Sequence, residues 1–313
     1  MKVLVTGAAG FVGSHFCESL LNQGHSVIGL DDFSTGSQAN LENFEHSPNF
    51  DFIEHDVREV IDISCDAIVN FACPASPTHY QSDPIKTIET TFLGTHNLLK
   101  LAAKNSIRFL HASTSEVYGN PLVSPQKETD WGNVNPIGIR ACYDEGKRAA
   151  ETLCFDYKRV YGIDVRVMRI FNTYGPRMAE QDGRVVSNFI VQALKGEDIT
   201  IYGDGFQTRS FCYISDLVAG AERFLFHRGA INTPINLGNS HEFYIRDLAE
   251  LIVRQTNSKS EVSYLSLPQD DPKKRKPDLT LASQVLNYSP KVELEEGINR
   301  TISYFKKVLK LLS

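Results

Sequence analysis

The chain opens with a short apolar run that leads directly into a glycine-rich turn. KVLVT at residues 2–6 is suited to a buried parallel strand, and TGAAGFVG continues it with three spaced glycines. The next segment, SHFCESLLNQG, has the pattern of an amphipathic helix ending at Gly24. This order predicts a tight turn at which the backbone and the helix N-terminus bind a pyrophosphate, with contacts from Gly7, Gly10, Phe11, Val12 and Gly13.

A second apolar run, SVIGLDD, places Asp31 at the end of the next predicted strand. A carboxylate at this position can accept hydrogen bonds from both ribose hydroxyls of an adenosine. No lysine or arginine occurs between Asp31 and Gln38, so a 2′-phosphate would meet an acid without a counter-charge. The sequence therefore predicts NAD as the cofactor and disfavours NADP.

Strand-like and helix-like segments alternate through the first half of the chain. The strand-like runs cover residues 2–6, 26–31, 50–54, 67–71, 107–113 and 164–170. This alternation predicts an α/β fold, a Rossmann-type doubly wound parallel sheet. We expect residues 1–172 to form the cofactor-binding domain, with a later segment returning to it, and residues 173–313 to form mainly a smaller α/β substrate-binding lid domain.

Two further strand ends are candidates for contact with the cofactor. DAIVNFACPAS ends a buried strand in small residues, and we expect the cofactor to pass the backbone at Ala72. His55, Asp56 and Val57 end another strand. Asp56 is equally suited to accepting a hydrogen bond from an adenine amino group and to capping a helix, so both interpretations stay open.

Tyr143 and Lys147 form a Tyr-x-x-x-Lys pair within ACYDEGKRAAE. A spacing of four residues places both side chains on one helix face, where the ammonium would lower the tyrosine pKa by favouring phenolate. Thr114 and Ser115, at the end of a predicted strand, could hydrogen-bond the substrate hydroxyl that loses its proton. The pair therefore predicts a general base and its activating cation.

Composition excludes several other classes of protein. The net charge is −6, and the densest basic patch, KKRK at residues 273–276, is too short to predict nucleic-acid binding. No apolar stretch approaches the roughly 20 residues of a membrane span, and a core strand stands where a signal peptide would begin. The six scattered cysteines predict reduced thiols in the cytoplasm and no metal site, with Cys142 in a packing role.

Several long segments resemble the extended short-chain dehydrogenase/reductases, in the sugar-nucleotide epimerase/dehydratase group. The segments that carry the resemblance, which covers nearly the whole chain, are ACPASPTHYQSDPIKT, STSEVYGNP, NPIGIRACYDEGKR, RIFNTYGPRM, DGRVVSNFI, YGDGFQTRSF and DDPKKRKPD. Within the group they are most similar to the members that decarboxylate UDP-glucuronate. The resemblance implies a bound NAD, a UDP-sugar substrate and a homodimer paired through helices near residues 84–104 and 141–160.

The resemblance also implies roles for the central residues. Tyr143 would be the catalytic base, Lys147 its partner and Thr114 the hydroxyl that orients the sugar, with Ser115 and Glu116 beside the carboxylate at sugar C5. Related 4,6-dehydratases carry an Asp-Glu pair at the last two positions. A neutral serine tolerates a substrate carboxylate that an aspartate would repel, so residue 115 favours decarboxylation.

By the same resemblance, the UDP-sugar would be held by Lys86, Asn172, Arg177, Asn188, Tyr202, Arg209 and Arg275. The expected reaction is redox-neutral: oxidation at C4 of UDP-glucuronate, loss of CO₂, and reduction of the 4-keto pentose to UDP-xylose. The alternatives are a dTDP-glucose 4,6-dehydratase or UDP-sugar 4-epimerase, and a non-catalytic NAD-binding regulatory protein. Ile139 and Thr91 depart from the family pattern, which usually has proline and asparagine there, without removing a catalytic group.

Overall fold

A computed structural model of the chain describes residues 1–267 and 274–311. The first six strands are β1 (Lys2–Thr6), β2 (Ser26–Asp31), β3 (Phe50–Glu54), β4 (Ala67–Asn70), β5 (Arg108–Thr114) and β6 (Val165–Ile170). Between them lie the helices α1 (Phe11–Asn22), α2 (Pro77–Ser82), α3 (Pro84–Glu89), α4 (Thr95–Asn105) and α5 (Ala141–Tyr161). A π-helical turn, Thr90–Gly94, joins α3 to α4, and short 3₁₀ helices occupy Gln38–Asn40 and Ser115–Tyr118.

The second half contains shorter strands and longer connections. Its strands are β7 (Thr173–Tyr174), β8 (Ile199–Tyr202), β9 (Thr208–Ser210), β10 (Cys212–Tyr213), β11 (Ile235–Leu237), β12 (Glu242–Tyr244) and β13 (Val262–Leu265). Its helices are α6 (Val185–Lys195), α7 (Ile214–Phe226), α8 (Ile245–Thr256), α9 (Thr280–Leu286) and α10 (Leu294–Val308). Residues 270–273, which are the first four of DDPKKRKPD and include the start of the basic patch, lie outside the described residues.

The central sheet has seven parallel strands in the order β11-β6-β5-β4-β1-β2-β3. The direction of winding reverses between β1 and β4, because β2 lies on one side of β1 and β4 on the other. Crevices for ligands form outside the carboxyl ends of strands at such a reversal. The prediction of a Rossmann-type doubly wound parallel sheet is confirmed, and the six predicted strand-like runs correspond to β1–β6 within one residue at each end.

The outermost strand, β11, comes from the second half of the chain and pairs with β6. The chain therefore returns to the sheet after β7–β10. The remaining pairings form three two-stranded sheets, β10 with β7, β12 with β9 and β13 with β8. The boundary at residue 172 between two domains stays a prediction.

Helices cover both faces of the sheet and enclose two apolar clusters. Because successive side chains of a strand point to opposite faces, Val3 and Val5 face α1 and the second half of the chain, whereas Leu4 faces the side of α4 and α5. Of the helices in the described ranges, none is both long and apolar enough to cross a membrane.

A polar network crosses the buried sheet beside the glycine turn. Thr6 donates to Asn70 Oδ1 at 2.7 Å, and Asn70 Nδ2 donates to Thr95 Oγ1 at 3.2 Å. Asn70 Nδ2 also lies 3.4 Å from His111 Nδ1, so the neutral ring accepts there in one tautomer. Burial, with the nearby charge of Lys147, lowers the pKa of His111 well below its usual value.

We predict that His111 makes the fold sensitive to acid. Its folded-state pKa lies below the unfolded value of about 6.5, so below that pH the unfolded chain binds a proton that the folded chain does not. The free energy of unfolding should therefore fall as the pH decreases, and His111→Gln should reduce this slope by up to about 1.4 kcal/mol per pH unit. Urea denaturation at several pH values measures both slopes. His46→Gln, at an exposed site, is the control, and equal slopes in wild type and His111→Gln would contradict the prediction.

Candidate active site

A cavity of about 860 Å³ opens at the carboxyl ends of the strands, between the sheet and the second half of the chain. The predicted cofactor-contacting residues all line it: Gly7, Gly10, Phe11, Val12, Gly13, Asp31, Asp56, Val57, Ala72, Tyr143 and Lys147. The predicted catalytic side chains of Thr114, Ser115 and Glu116 line it as well. The fold therefore brings together residues that are far apart in the sequence, while their individual roles stay predictions.

The glycine turn at one end of the cavity cannot carry side chains. Gly7 has a φ of +69°, and a Cβ there would lie 2.9 Å from the backbone nitrogen of Ala72. A Cβ on Gly13 would lie 2.0 Å from the Gly7 carbonyl oxygen. Gly10 precedes α1 without a side-chain cap, so the first N–H groups of the helix are available to a ligand. The turn therefore fits the pyrophosphate of a dinucleotide.

Asp31 ends β2 and is held by two backbone donors. Its carboxylate accepts from the N–H of Ala9 at 2.9 Å and of Phe33 at 2.8 Å, while burial raises its pKa. Its remaining lone pairs suit the ribose hydroxyls of an adenosine. Lys86, expected to hold substrate, differs from that expectation: its ammonium pairs with Asp32 at 3.0 Å, and Lys86 is not part of the cavity wall.

Asp56 does not cap a helix. Its carboxylate pairs with the Arg58 guanidinium at 2.8 Å and accepts from the Arg58 N–H at 2.9 Å, so it caps a turn. Lys86 and Arg58 are paired with Asp32 and Asp56, two acids of the cavity wall. A 2′-phosphate near these acids would have to compete for the two cations, which agrees with the preference for NAD. Contact of Asp56 with adenine stays a prediction.

Tyr143 lies in the first turn of α5, at the centre of the cavity wall. It is buried, and the Thr114 side chain at the end of β5 is close enough to its hydroxyl to favour the phenolate. Lys147 follows one turn later, with its ammonium 5.9 Å from the Tyr143 ring centroid. The same ammonium donates to the Ala112 carbonyl oxygen at 2.7 Å. The predicted placement of both side chains on one helix face is therefore present.

The pKa of Tyr143, however, is raised in the protein alone, and not lowered as the sequence predicts. Burial is the largest cause, because a buried phenolate would lose its hydration. The Cys73 side chain and the Glu116 carboxylate raise the pKa of Tyr143 further. Lys147 directs its proton donor at the Ala112 carbonyl and not at the phenol. In the protein alone, the side chain of Tyr143 is therefore a neutral phenol near neutral pH.

Glu116 is clamped between two arginines in the wall beside Tyr143. Its two carboxylate oxygens lie 2.6 Å from guanidinium nitrogens of Arg140 and Arg275, and these charges lower its pKa. Arg275 also donates to Asn172 Oδ1 at 3.1 Å. Ser115, buried beside this cluster, adds a hydroxyl and no charge.

The cavity wall also contains Tyr80 and Arg140, which were not among the predicted site residues. The Tyr80 ring stacks on Tyr143 with centroids 5.0 Å apart and planes 5° apart, and the Arg140 guanidinium lies 6.0 Å from the Tyr80 centroid. Both residues occur within segments that carry the family resemblance. In the sequence, however, a single tyrosine cannot be distinguished from an aromatic residue of the core. A single arginine cannot be distinguished from a member of a surface ion pair. Cys142, expected to pack, has its thiol 3.5 Å from the Tyr80 carbonyl oxygen.

The far end of the cavity belongs to the second half of the chain. Apart from Lys86, the predicted substrate-binding residues all line it: Asn172, Arg177, Asn188, Tyr202, Arg209 and Arg275. Arg177 pairs with Glu18 at 2.6 Å, and Asn188 donates to the Gly183 carbonyl oxygen at 3.2 Å. Several cationic and amide side chains therefore face the same space as the glycine turn, as an anionic ligand would require.

Comparisons with known proteins agree with this site. UDP-glucuronic acid decarboxylase 1 of Xenopus tropicalis is 52% identical over 309 residues, which cover 99% of this chain and 73% of that protein. UDP-glucuronic acid decarboxylase 5 of Arabidopsis thaliana is 52% identical over 299 residues, which cover 95% and 87% respectively.

Solved structures are similar over the whole chain. A UDP-glucose 4-epimerase of Thermotoga maritima, solved with UDP-glucose, has a TM-score of 0.90 at 30% identity and covers 99% of this chain and 100% of that one. A UDP-glucuronic acid 4-epimerase of Bacillus cereus, solved with UDP-glucuronic acid and NAD, has a TM-score of 0.89 at 30% identity and covers 98% and 100%. Residues 3–238 match the NAD dependent epimerase/dehydratase family, and the chain belongs to that family.

Proposed function

We propose that the chain is a lyase that decarboxylates UDP-glucuronate to UDP-xylose with NAD as a recycled cofactor. The observation that carries this proposal is the neutral Ser115 beside the Glu116 clamp, next to the Tyr143–Thr114 pair. Decarboxylases of this name at 51–52% identity over nearly the whole chain support it. The decisive experiment is NMR of the product formed from UDP-glucuronate in the presence of NAD⁺.

The protein would hold NAD along the edge of the sheet. The glycine turn and the N-terminus of α1 would bind the pyrophosphate, Asp31 the adenosine ribose, and Lys147 the nicotinamide ribose. When bound, NAD⁺ accepts a hydride from C4 of the sugar and returns it at the end of the reaction. Because no net oxidation occurs, the cofactor can stay bound in the enclosed cavity between turnovers.

Tyr143 and Thr114 would handle the proton at the sugar C4 hydroxyl. Both residues line the cavity, where Thr114 would orient the sugar hydroxyl and Tyr143 would take its proton. Burial raises the pKa of Tyr143, so the positive charges of Lys147 and of the oxidised cofactor are needed to favour phenolate. The Lys147 charge also helps Tyr143 to give the proton back when the carbonyl is reduced, because it makes the phenol a stronger acid.

Decarboxylation follows from oxidation at C4, because the C5 carboxylate then belongs to a β-keto acid. Loss of CO₂ would leave an enolate whose charge lies on the C4 oxygen, near the hydroxyls of Tyr143 and Thr114. A proton from solvent would then add at C5 and give the 4-keto pentose that is reduced. Ser115 would face the departing carboxylate with a neutral hydrogen-bond donor. The arginine clamp keeps Glu116 ionised but neutralised, so it adds little repulsion against the substrate acid.

A UDP-sugar 4-epimerase is the main alternative, because a similar structure is an epimerase solved with UDP-glucuronic acid. Retention of the carboxyl group in the product would establish that activity, whereas release of CO₂ excludes it. A dTDP-glucose 4,6-dehydratase would instead lose water from C6. A non-catalytic NAD-binding protein has no need of the intact Tyr143, Lys147 and Thr114 constellation.

We also propose a homodimer paired through α3–α4 and α5. These helices pack against each other at one side of the molecule and leave apolar side chains on their outer surface, among them Ile85 at 66% exposure, Ile88, Leu93 and Val160. The free thiols of all six cysteines are consistent with the proposed cytoplasmic location. We expect light scattering at micromolar concentration to give twice the 35.0 kDa chain mass, and a monomer would contradict the pairing.

We predict that Tyr143→Phe abolishes turnover and leaves NAD binding nearly unchanged. The substitution removes the proposed base and keeps the ring that stacks on Tyr80. Loss of a general base typically costs about 10²–10⁴-fold in rate. The measurement is kcat for CO₂ release together with NAD affinity, and Tyr161→Phe on the exposed end of the same helix is the control. A kcat like that of wild type would disprove the role of Tyr143.

We predict that Ser115→Asp impairs turnover of UDP-glucuronate far more than NAD binding. A second carboxylate at about 4 Å from the substrate acid, at an effective dielectric constant near 20, costs about 4 kcal/mol before relaxation. At least a tenfold loss in kcat/KM should remain after relaxation or protonation. Ser115→Asn, of equal size without the charge, is the matched control. An unchanged kcat/KM in Ser115→Asp would show that residue 115 does not face the carboxylate.

A further inference from the structure

Asp144 is a buried carboxyl group that the proposed reaction does not use. It follows Tyr143 in α5, and its side chain is as buried as that of its partner Arg140, each about 9% exposed. Its Oδ2 lies 3.9 Å from Arg140 Nε, a long contact for a salt bridge. Within the described part of the chain, its Oδ1 has no hydrogen-bond partner. A buried, under-satisfied carboxyl group beside a catalytic residue is costly, so its retention needs a reason.

The same arginine serves two carboxylates. Arg140 holds Glu116 at 2.6 Å through one nitrogen and faces Asp144 with another. Burial and the charge of Glu116 raise the pKa of Asp144 to about 7, against the opposing charges of Arg140 and Arg275. The titratable and charged groups that face Asp144 from the helices and loops around it are Tyr80, Glu116, Arg140, Cys142, Tyr143, Glu145 and Arg275.

We propose that Asp144 is a positioning residue that sets, through its charge and the arginine it shares with Glu116, the proton affinity of Tyr143. This inference rests on the proposed role of Tyr143 as the base. Negative charge on Asp144 disfavours the Tyr143 phenolate, and both side chains lie in one water-poor wall where such a charge is weakly screened.

The coupling has a chemical purpose in a redox-neutral cycle. Tyr143 must take a proton from the C4 hydroxyl and later return one to the same oxygen. A tyrosine of high pKa is a strong base for the first step but a weak acid for the second, and a tyrosine of low pKa is the reverse. Negative charge on Asp144 raises the pKa of Tyr143 and favours uptake of the proton. Lys147 and the cofactor charge lower this pKa, so that phenolate is present at the start and the proton can be returned. The two groups titrate together, so the pH profile belongs to the pair.

The test is the pH dependence of kcat for CO₂ release from UDP-glucuronate by the NAD-loaded enzyme. Asp144→Asn and Asp144→Ser both remove the charge and differ in bulk. We expect the acid limb of each profile to move to lower pH by about 0.5 to 1.5 units, which is about 3- to 30-fold more phenolate at a given pH. Asp156→Asn is the matched control, because Asp156 is an exposed aspartate of the same helix that pairs with Arg159.

A second readout does not require turnover. The near-ultraviolet phenolate absorbance of the NAD-loaded protein, measured as the difference from Tyr143→Phe, reports the tyrosine pKa directly and should move in the same direction. Acid limbs that coincide with wild type within 0.2 units, or that move to higher pH, would overturn the proposal. Loss of activity at all pH values with an unchanged Tyr143 titration would overturn it too. Absence of CO₂ release by wild type would refute the proposed function separately, since the absorbance titration still tests Asp144.

Discussion

The contact between Gly13 and the carbonyl oxygen of Gly7 is the constraint on which the rest of the molecule depends. A side chain at position 13 would enter the space of that oxygen at 2.0 Å, so α1 can approach the end of β1 only because residue 13 has no Cβ. This close approach directs the free N–H groups of the helix into the cavity at the reversal between β1 and β4. The dinucleotide site lies at this edge of the sheet, so the other side chains of the cavity wall have to come from the ends of strands such as β4 and β5.

Several acids of the cavity wall are compensated by cations. Asp32 is matched by Lys86, and Glu116 by both Arg140 and Arg275, all from distant segments, whereas Asp56 is matched by Arg58, two residues away. Arg275 belongs to the second half of the chain, so the clamp on Glu116 also joins that half to the end of β5. A wall that is neutralised in this way can accept an anionic sugar nucleotide without the repulsion that free carboxylates would cause.

The raised pKa of Tyr143 means that its proposed role as the base depends on the charge of a bound ligand. Burial between Tyr80 and the end of β5 removes water from the phenol, and the Lys147 ammonium donates to the Ala112 carbonyl. The protein therefore supplies position and a low dielectric environment, and in the proposed reaction the remaining positive charge would come with the cofactor. A base of this kind would be inactive until the cofactor is bound.

The sequence by itself determined the sheet and the chemistry at its edge. Apolar runs and the glycine spacing predicted β1–β6, and the order of motifs predicted a set of side chains that the structure brings to one cavity, because parallel strands end at one edge. The tertiary structure alone decided how those side chains share their charges. Lys86 pairs with Asp32, Asp56 pairs with Arg58, and the contacts of Tyr80, Arg140 and Asp144 follow only from stacking and burial. Proton affinities and ion pairs depend on distances between remote segments and on the exclusion of water, and no local pattern of residues records either.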